Sequence, residues 1–271
     1  MATANLIPRI GLGTFRLKGQ EVIDSVSSAL ELGYRHIDTA QAYENETEVG
    51  QAIRQSGVPR DEIFLTTKVW YDRLESDDLI RSLEESLDRL GVDHVDLALI
   101  HWPSPNGEVP MGETIGALNE AREKGLTKHI GVSNFTMAHL DEALGVPGGE
   151  HLVTNQIEVH PYLANRRVVE HCQASGLQVT GYMPLAVGKV MKDPLLQEIA
   201  DAHGATPAQV ALAWVAGRDI VVIPSSTKPE HQHANLAALE LELSDDEIAR
   251  IDKLDAGERI ADPEWAPRWD E

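Results

Sequence analysis

Residues 63–101 read IFLTTKVWYDRLESDDLIRSLEESLDRLGVDHVDLALIH, and this stretch decides the fold class. It opens on a β-rich apolar run, Ile63–Lys68, and closes on another, Asp96–His101. Between them Leu79, Leu83 and Leu87 recur every four residues, the apolar stripe of an amphipathic helix. Ser76 is placed to cap that helix, with Asp77 and Asp78 in the first turn where acids meet the positive dipole end. Gly91 marks its end. A strand, a helix and a second strand in this order form a crossover that pairs the two strands in parallel. The segment Val95–Ile100 is apolar almost throughout, as expected of a parallel strand covered on both faces.

The same alternation extends in both directions. The remaining strands are expected at Ile10–Phe15, Arg35–Thr39, His129–Ser133, Thr154–Glu158, Gln178–Tyr182 and Ile220–Pro224. Asp193-Pro194 and Thr206-Pro207 each read as an N-cap followed by proline at the first helical position, and Ser244 with Glu247 reads as a capping box. Eight strands alternating with helices over 271 residues predict a (β/α)8 TIM barrel, with an open doubly wound sheet as the alternative. Residues 1–271 read as one domain. Residues 256–271, which hold Trp265 and Trp269, fall outside the alternation and are expected to fold near the mouth of the site.

Composition narrows the partners. The chain has 23 Lys and Arg against 44 Asp and Glu, a net charge of -21, which excludes a phosphate backbone as a natural partner. No apolar run nears the roughly 20 residues needed to span a bilayer. The N-terminal MATANLIPRI lacks the basic head and apolar core of a signal peptide. The single cysteine, Cys172, has no partner for an internal disulfide, so a cytoplasmic setting without membrane attachment is expected. Val168 and Val169 place Cys172 on the core face of a helix. His160-Pro161 reads as structural, and His231 with His233 reads as a surface pair, because no third metal ligand accompanies them.

In a barrel of this kind the site is built at the C-terminal ends of the strands. Asp38 ends the second strand and Tyr43 begins the loop after it; Lys68 ends the third strand and His101 the fourth. Ser133 and Asn134 end the fifth, Gln156 and Glu158 lie in the sixth, and Tyr182 ends the seventh. An acid, a phenol, an amine and an imidazole suit proton delivery to a carbonyl oxygen. A free tyrosine, with a pKa near ~10, is a poor acid at neutral pH, and a neighbouring ammonium favours its ionised form. Lys68 is expected to supply that charge and so lower the Tyr43 pKa, with Asp38 holding Lys68 in place and His101 donating to the same carbonyl. No serine or cysteine sits beside a base at these strand ends, so covalent acyl chemistry is not indicated.

The stretch Gly33-Tyr34-Arg35-His36-Ile37-Asp38-Thr39-Ala40, followed by Glu46 and Val49-Gly50, resembles the first signature of the aldo-keto reductase family. Lys128–Phe135 resembles the second, and Lys68-Val69-Trp70 and His101-Trp102-Pro103 resemble the family's lysine and histidine motifs. The resemblance runs from Gly11 to the tail. It implies a (β/α)8 barrel with a catalytic tetrad, here Asp38, Tyr43, Lys68 and His101, and a reduced nicotinamide as hydride source. It also implies the cofactor contacts. Gly13, Thr14 and Asp38 would meet the nicotinamide half, Ser133, Asn134 and Gln156 its carboxamide, and Tyr182 its ring, with Pro184 and Leu185 just beyond. Ile223, Pro224, Ser225, Ser226, Thr227 and Lys228 would follow the adenosine phosphate, with Asn235 near the adenine. Phe15, Tyr43, Trp70, His101, Trp102 and Trp265 would line the substrate pocket.

Many family members carry Lys and Arg where this chain has Ser225 and His231, and Glu where it has Ala234. Those two cations grip the 2′-phosphate of NADP, so the departure bears on coenzyme choice; the resemblance implies NADPH, with NADH as the second coenzyme. The run Ser225–Lys228 and the tail around Pro263 and Trp269 are similar to the short bacterial 2,5-diketo-D-gluconate reductases. The implied substrates are small aldehydes and ketones of the 2,5-diketo-D-gluconate or methylglyoxal type. Short loops after strands four and seven would leave the pocket open. Monomers are common in the family. Two other functions compete: a nicotinamide-binding regulatory barrel with little turnover, and a lyase or isomerase using Lys68 as a Schiff base.

Overall fold

A computed structural model describes residues 6–270. The reading of residues 1–5 and the last residue of the tail, Glu271, lie outside the described residues. Eight strands pair in parallel and in chain order: β1 (Leu12–Gly13), β2 (His36–Asp38), β3 (Phe64–Val69), β4 (Val95–Ile100), β5 (Thr127–Ser133), β6 (Leu152–Glu158), β7 (Gln178–Tyr182) and β8 (Ile220–Val222). Crossover helices follow as α1 (Gln20–Glu31), α2 (Glu46–Gln55), α3 (Ser76–Leu90), α4 (Met111–Glu123), α5 (Met137–Gly145), α6 (Arg166–Ala174), α7 (Pro194–His203), α8 (Pro207–Ala216), α9 (Pro229–Ala237) and α10 (Asp245–Ile251). No helix among the described residues is long and apolar enough to cross a membrane.

Strand β4 shows why the sheet forms. All six residues are buried, and the last four divide by parity. Ala98 and Ile100 join the large core between the sheet and the helices, whereas Leu97 and Leu99 join a smaller cluster with Ile7, Val221 and Ile223. Burial on both faces favours apolar residues, and the one charged residue of the strand, Asp96, is buried with Arg60, Lys128 and the Leu65 N–H as partners. On the helix side, Leu79, Leu83 and Leu87 of α3 are all buried, and Gly91 closes the helix at φ +66°. Cys172 is fully buried, as its neighbours predicted. Asp193, Thr206 and Ser244 cap their helices with side-chain hydrogen bonds, the last two as capping boxes.

Three expectations need correction. Ser76 does not cap α3; it is the first helical residue, Glu75 holds the cap position, and the Ser76 hydroxyl turns instead to Glu113 at 3.3 Å. Strands β1 and β8 are shorter than expected. Thr14 leaves the strand by sending both its N–H and its hydroxyl to the Asp38 carbonyl, each at 3.0 Å. The loops after β4 and β7 are not short, for residues 101–110 and 183–193 each carry a 3-10 segment. In the second of these Ala186 and Val187 take left-handed backbone, at φ 45° and 51°, a conformation costly for a β-branched residue.

The edges of the sheet also meet. Gly11 and Gly13 donate backbone N–H to Val222 O and Pro224 O at 2.9 and 3.0 Å, and Val222 returns a bond to Arg9 O at 3.0 Å. A Cβ at Gly13 would lie 2.8 Å from the Ile223 carbonyl, so only glycine permits this approach. Register then aligns the polar residues. Gly13 pairs with Asp38 and Asp38 with Thr66, while Lys68 pairs with Leu99 and Ser133 with Gln156. Side chains two residues apart share a face, so Asp38 and Lys68 emerge on the same side of the sheet near its C-terminal edge.

Candidate active site

Asp38 is the last residue of β2, and Tyr43 closes the 3-10 turn Gln41–Tyr43 that follows. That turn is held from three sides. Asn45 is buried and donates to the carbonyls of Thr14 and Leu17 at 2.9 and 3.1 Å, while accepting from Thr39 at 2.7 Å. Gln41 reaches the α3 residues Ser82 and Ser86 and accepts the Trp70 N–H at 3.0 Å. Lys18 donates to the Tyr43 carbonyl at 2.6 Å.

Lys68 lies in β3 with its side chain fully buried. Its three N–H donors are all used: Asp38 Oδ1 at 2.6 Å, the Thr39 carbonyl at 2.9 Å and the Tyr43 hydroxyl oxygen at 3.1 Å. Because the phenolic oxygen accepts from Lys68, its own proton is free to point into the cleft. Asp38 is satisfied on its other oxygen by Gln156 Nε2 at 2.8 Å. His101 follows β4 and meets the Tyr43 ring edge-on at 5.6 Å between centroids. Its Nδ1 is buried without a partner. A neutral ring with its proton on Nε2 would present a donor to the cleft that His101 lines.

Electrostatics corrects one expectation. Burial raises the Tyr43 pKa by more than the Lys68 ammonium lowers it, and the net displacement is upward. Lys68 therefore opposes a desolvation penalty instead of making an unusually strong acid. Burial works against the Lys68 charge, but Asp38 and Tyr43 outweigh it and its pKa rises. His101 is pushed well below the usual histidine range by burial and then by the Lys68 charge, which keeps it neutral.

Asp38, Tyr43 and His101 line a cleft of about 680 Å³, whereas Lys68 is fully buried behind them and does not reach it. Of the residues expected to touch substrate, Phe15, Tyr43, Trp70, His101, Trp102 and Trp265 all line it. Trp265 comes from the tail and packs against Trp70, Tyr71 and Trp102 at 5.7, 4.3 and 5.0 Å. Of the residues expected to hold a cofactor, Gly13, Asp38, Asn134, Gln156, Tyr182, Pro184, Leu185, Ile223, Pro224 and Ser225 also line it. Thr14, Ser133, Ser226, Thr227, Lys228, His231 and Asn235 do not. Thr14 and Ser133 are buried behind the floor, and the Ser133 hydroxyl donates to the Gln156 carbonyl at 2.8 Å. Lys228 and His231 are exposed at the start of α9, and Asn235 is buried within it. Asn134, at φ 62°, donates to the His101 carbonyl at 2.9 Å and accepts the Tyr182 hydroxyl at 2.7 Å.

A nicotinamide carboxamide needs facing donors and acceptors, and Asn134 and Gln156 supply side-chain amides on one wall of the cleft beside the Tyr182 ring. The residues present therefore fit that group. Among the described residues no three His, Cys, Asp or Glu gather as a metal site. Sequence reasoning missed Arg16, Leu17, Ala42, Met183, Val187, Gly188, Ala261 and Pro263, which also line the cleft. They sit on loops, where neither periodicity nor chemistry marks them.

Residues 9–256 match the sequence profile of the Aldo/keto reductase family. The chain is 54% identical to the methylglyoxal reductase DkgB of Escherichia coli O157:H7, over 97% of this chain and 99% of that one. It is 44% identical to an aldo-keto reductase of Mycolicibacterium vanbaalenii, over 96% and 93% of the two chains. It superimposes on the crystal structure of MGS-M4, an aldo-keto reductase enzyme from a Medee basin deep-sea metagenome library. The TM-score is 0.89 and the identity 35%, covering 98% of this chain and 97% of that one. An eight-stranded parallel sheet, a lysine bridging an acid and a phenol at its C-terminal edge, and these full-length matches agree: the chain is an enzyme of the aldo/keto reductase family.

Proposed function

We propose that this enzyme reduces small aldehydes and ketones with NADPH, and that Tyr43 delivers the proton to the carbonyl oxygen. The observation that carries the reading is the Lys68 N–H donated to the Tyr43 hydroxyl, which leaves the phenolic proton facing the cleft. The nicotinamide, when bound, supplies the hydride. Asn134, Gln156 and Tyr182 orient it, and Asp38 and Lys68 hold Tyr43 in position. Tyr43 and the Nε2–H of His101 converge on the carbonyl oxygen, where negative charge develops as the carbon is reduced. After proton transfer, Lys68 stands 3.1 Å from the phenolate oxygen and stabilises it until solvent returns a proton.

The lining supports small substrates, since Trp70, Trp102 and Trp265 pack together in the cleft wall. The DkgB relative's name makes methylglyoxal the first compound to assay, with 2,5-diketo-D-gluconate next. NADPH over NADH is supported by Lys228 with the hydroxyls of Ser225, Ser226 and Thr227. The reading includes one (β/α)8 domain, closed by the bonds between Gly11, Gly13 and the β8 edge, with the tail over the mouth. It also includes a cytoplasmic setting, which the lone buried Cys172 supports. Tyr43→Phe tests the assignment: NADPH oxidation with methylglyoxal should fall about 10²–10⁴-fold while NADPH affinity holds. Wild-type turnover in that variant would remove Tyr43 as the acid.

A further inference from the structure

Glu158 ends β6 on the cleft side of the sheet and is fully buried, yet it has no part in the proton relay. Its carboxylate faces the tail. Oε1 accepts the Ile260 N–H and Oε2 the Ala261 N–H, both at 2.8 Å, and His160 Nε2 lies 2.9 Å from Oε1. His160 is itself fully buried, so the imidazole props the carboxylate from behind.

The tail needs such a hold. Residues 255–270 form no helix or strand and make only two backbone hydrogen bonds among themselves, Arg259 to Gly257 and Ala266 to Pro263. Ala256 and Glu258 bond the Tyr162 carbonyl at one end, and at the other Asp270 accepts the Met137 N–H at 2.8 Å. Between those ends lie Ala261, Pro263 and Trp265, the three tail residues that line the cleft. Among the described residues, only two side chains outside the tail hydrogen-bond to 259–266. One is Asn165, which meets the Arg259 side chain at 3.1 Å; the other is Glu158, the only one that holds backbone.

We propose that Glu158 is a positioning residue for substrate recognition, a buried carboxylate that latches the tail backbone and so sets the wall formed by Pro263 and Trp265. This rests on the reading that the cleft takes a carbonyl substrate. A displaced wall weakens contact with substrates large enough to reach Trp265, while the proton relay on β2, β3 and the β4 edge keeps its geometry. The latch therefore acts on KM more than on kcat, and more for an aromatic aldehyde than for methylglyoxal.

Two variants break the latch from opposite ends. Glu158→Gln exchanges one acceptor oxygen for an amide, and Ile260→Pro removes an N–H from a residue outside the cleft lining while leaving Glu158 intact. Each should raise KM for benzaldehyde about tenfold, the effect of losing one hydrogen bond to a charged acceptor, with kcat changed less than about twofold. NADPH dissociation constants should hold. Hydrogen–deuterium exchange over 258–265 should accelerate in both, and the double variant should add little because the bond is already lost. Unchanged exchange in both variants overturns the latch, and faster exchange with unchanged KM overturns its role in recognition. If Glu158→Gln does not fold, Ile260→Pro carries both arms. Should the wild type oxidise NADPH with no carbonyl, the functional reading fails, whereas the exchange arm still decides whether the latch exists.

Discussion

Replacing Lys68 by methionine separates two roles that one ammonium performs. The side chain is wholly enclosed and its partner Asp38 is only 2% exposed. Methionine fills similar space, so the principal loss is electrostatic. Asp38 then keeps a buried carboxylate with Gln156 as its side-chain donor, at 2.8 Å. Breaking a buried ion pair from one side costs about 3–5 kcal/mol, a large share of the 5–15 kcal/mol typical of a folded domain. Lys68→Met should therefore fold but unfold at clearly lower urea. Adding Asp38→Asn removes the stranded charge, so the double variant should recover part of that loss, and urea unfolding of the two singles and the double measures the coupling. Turnover should respond differently. Lys68→Met should lose about 10²–10⁴ in kcat, and the second substitution should lower it little further, because both act through Tyr43. The sign of the pH effect follows from the same contacts. Burial raises the Tyr43 pKa and Lys68 opposes it, so removing Lys68 moves the alkaline limb of residual activity to higher pH. Additive losses of stability, or an alkaline limb that stays in place, would refute the coupling of Asp38, Lys68 and Tyr43.

Two further outcomes are expected. His231→Arg, at the exposed start of α9, should tighten NADPH binding about tenfold or more and leave NADH unchanged, because only NADPH presents a phosphate to a new charged donor; equal shifts in both dissociation constants would place His231 away from that phosphate. His36 is fully buried, and burial pushes its pKa down to about 4, with the opposing Asp38 and the reinforcing Lys68 as smaller influences. An unfolded chain takes up that proton below about pH 6.5 and the folded one does not, so stability falls as pH drops from 6.5 towards 4. The share owed to His36 is about 3 kcal/mol, so the loss seen by urea unfolding between pH 7 and pH 4.5 should be smaller by about that amount in His36→Gln than in the wild type, where the depressed His101 adds to it.

Short-range physics made much of this protein legible in its sequence. The run Val95–Ile100, apolar but for Asp96, announces a strand buried on both faces, and the Leu79, Leu83 and Leu87 stripe a helix packed on one. Both depend only on spacing and solvation. Asp38, Lys68 and His101 were readable because they punctuate apolar strands at their C-terminal ends, where parallel α/β sheets expose chemistry. Ser76 misled, because a cap depends on what else the hydroxyl can reach, and Glu113 from α4 reaches it.

Tertiary structure alone decided the rest. Residue types predicted a lowered pKa for Tyr43 from the lysine beside it, but the net direction depends on how much water the fold removes, and burial wins. Arg16, Val187 and Pro263 line the cleft from loops without any periodic signal. Glu158 and Ile260 stand 102 residues apart, and nothing local to either pairs a carboxylate with those two amides. Such contacts form only once the whole sheet has brought β6 and the tail together. The order of strands and helices was thus local enough to read from the sequence, while the strand ends, the positions of the walls around the cleft and the pKa shifts within it belong to the assembled chain.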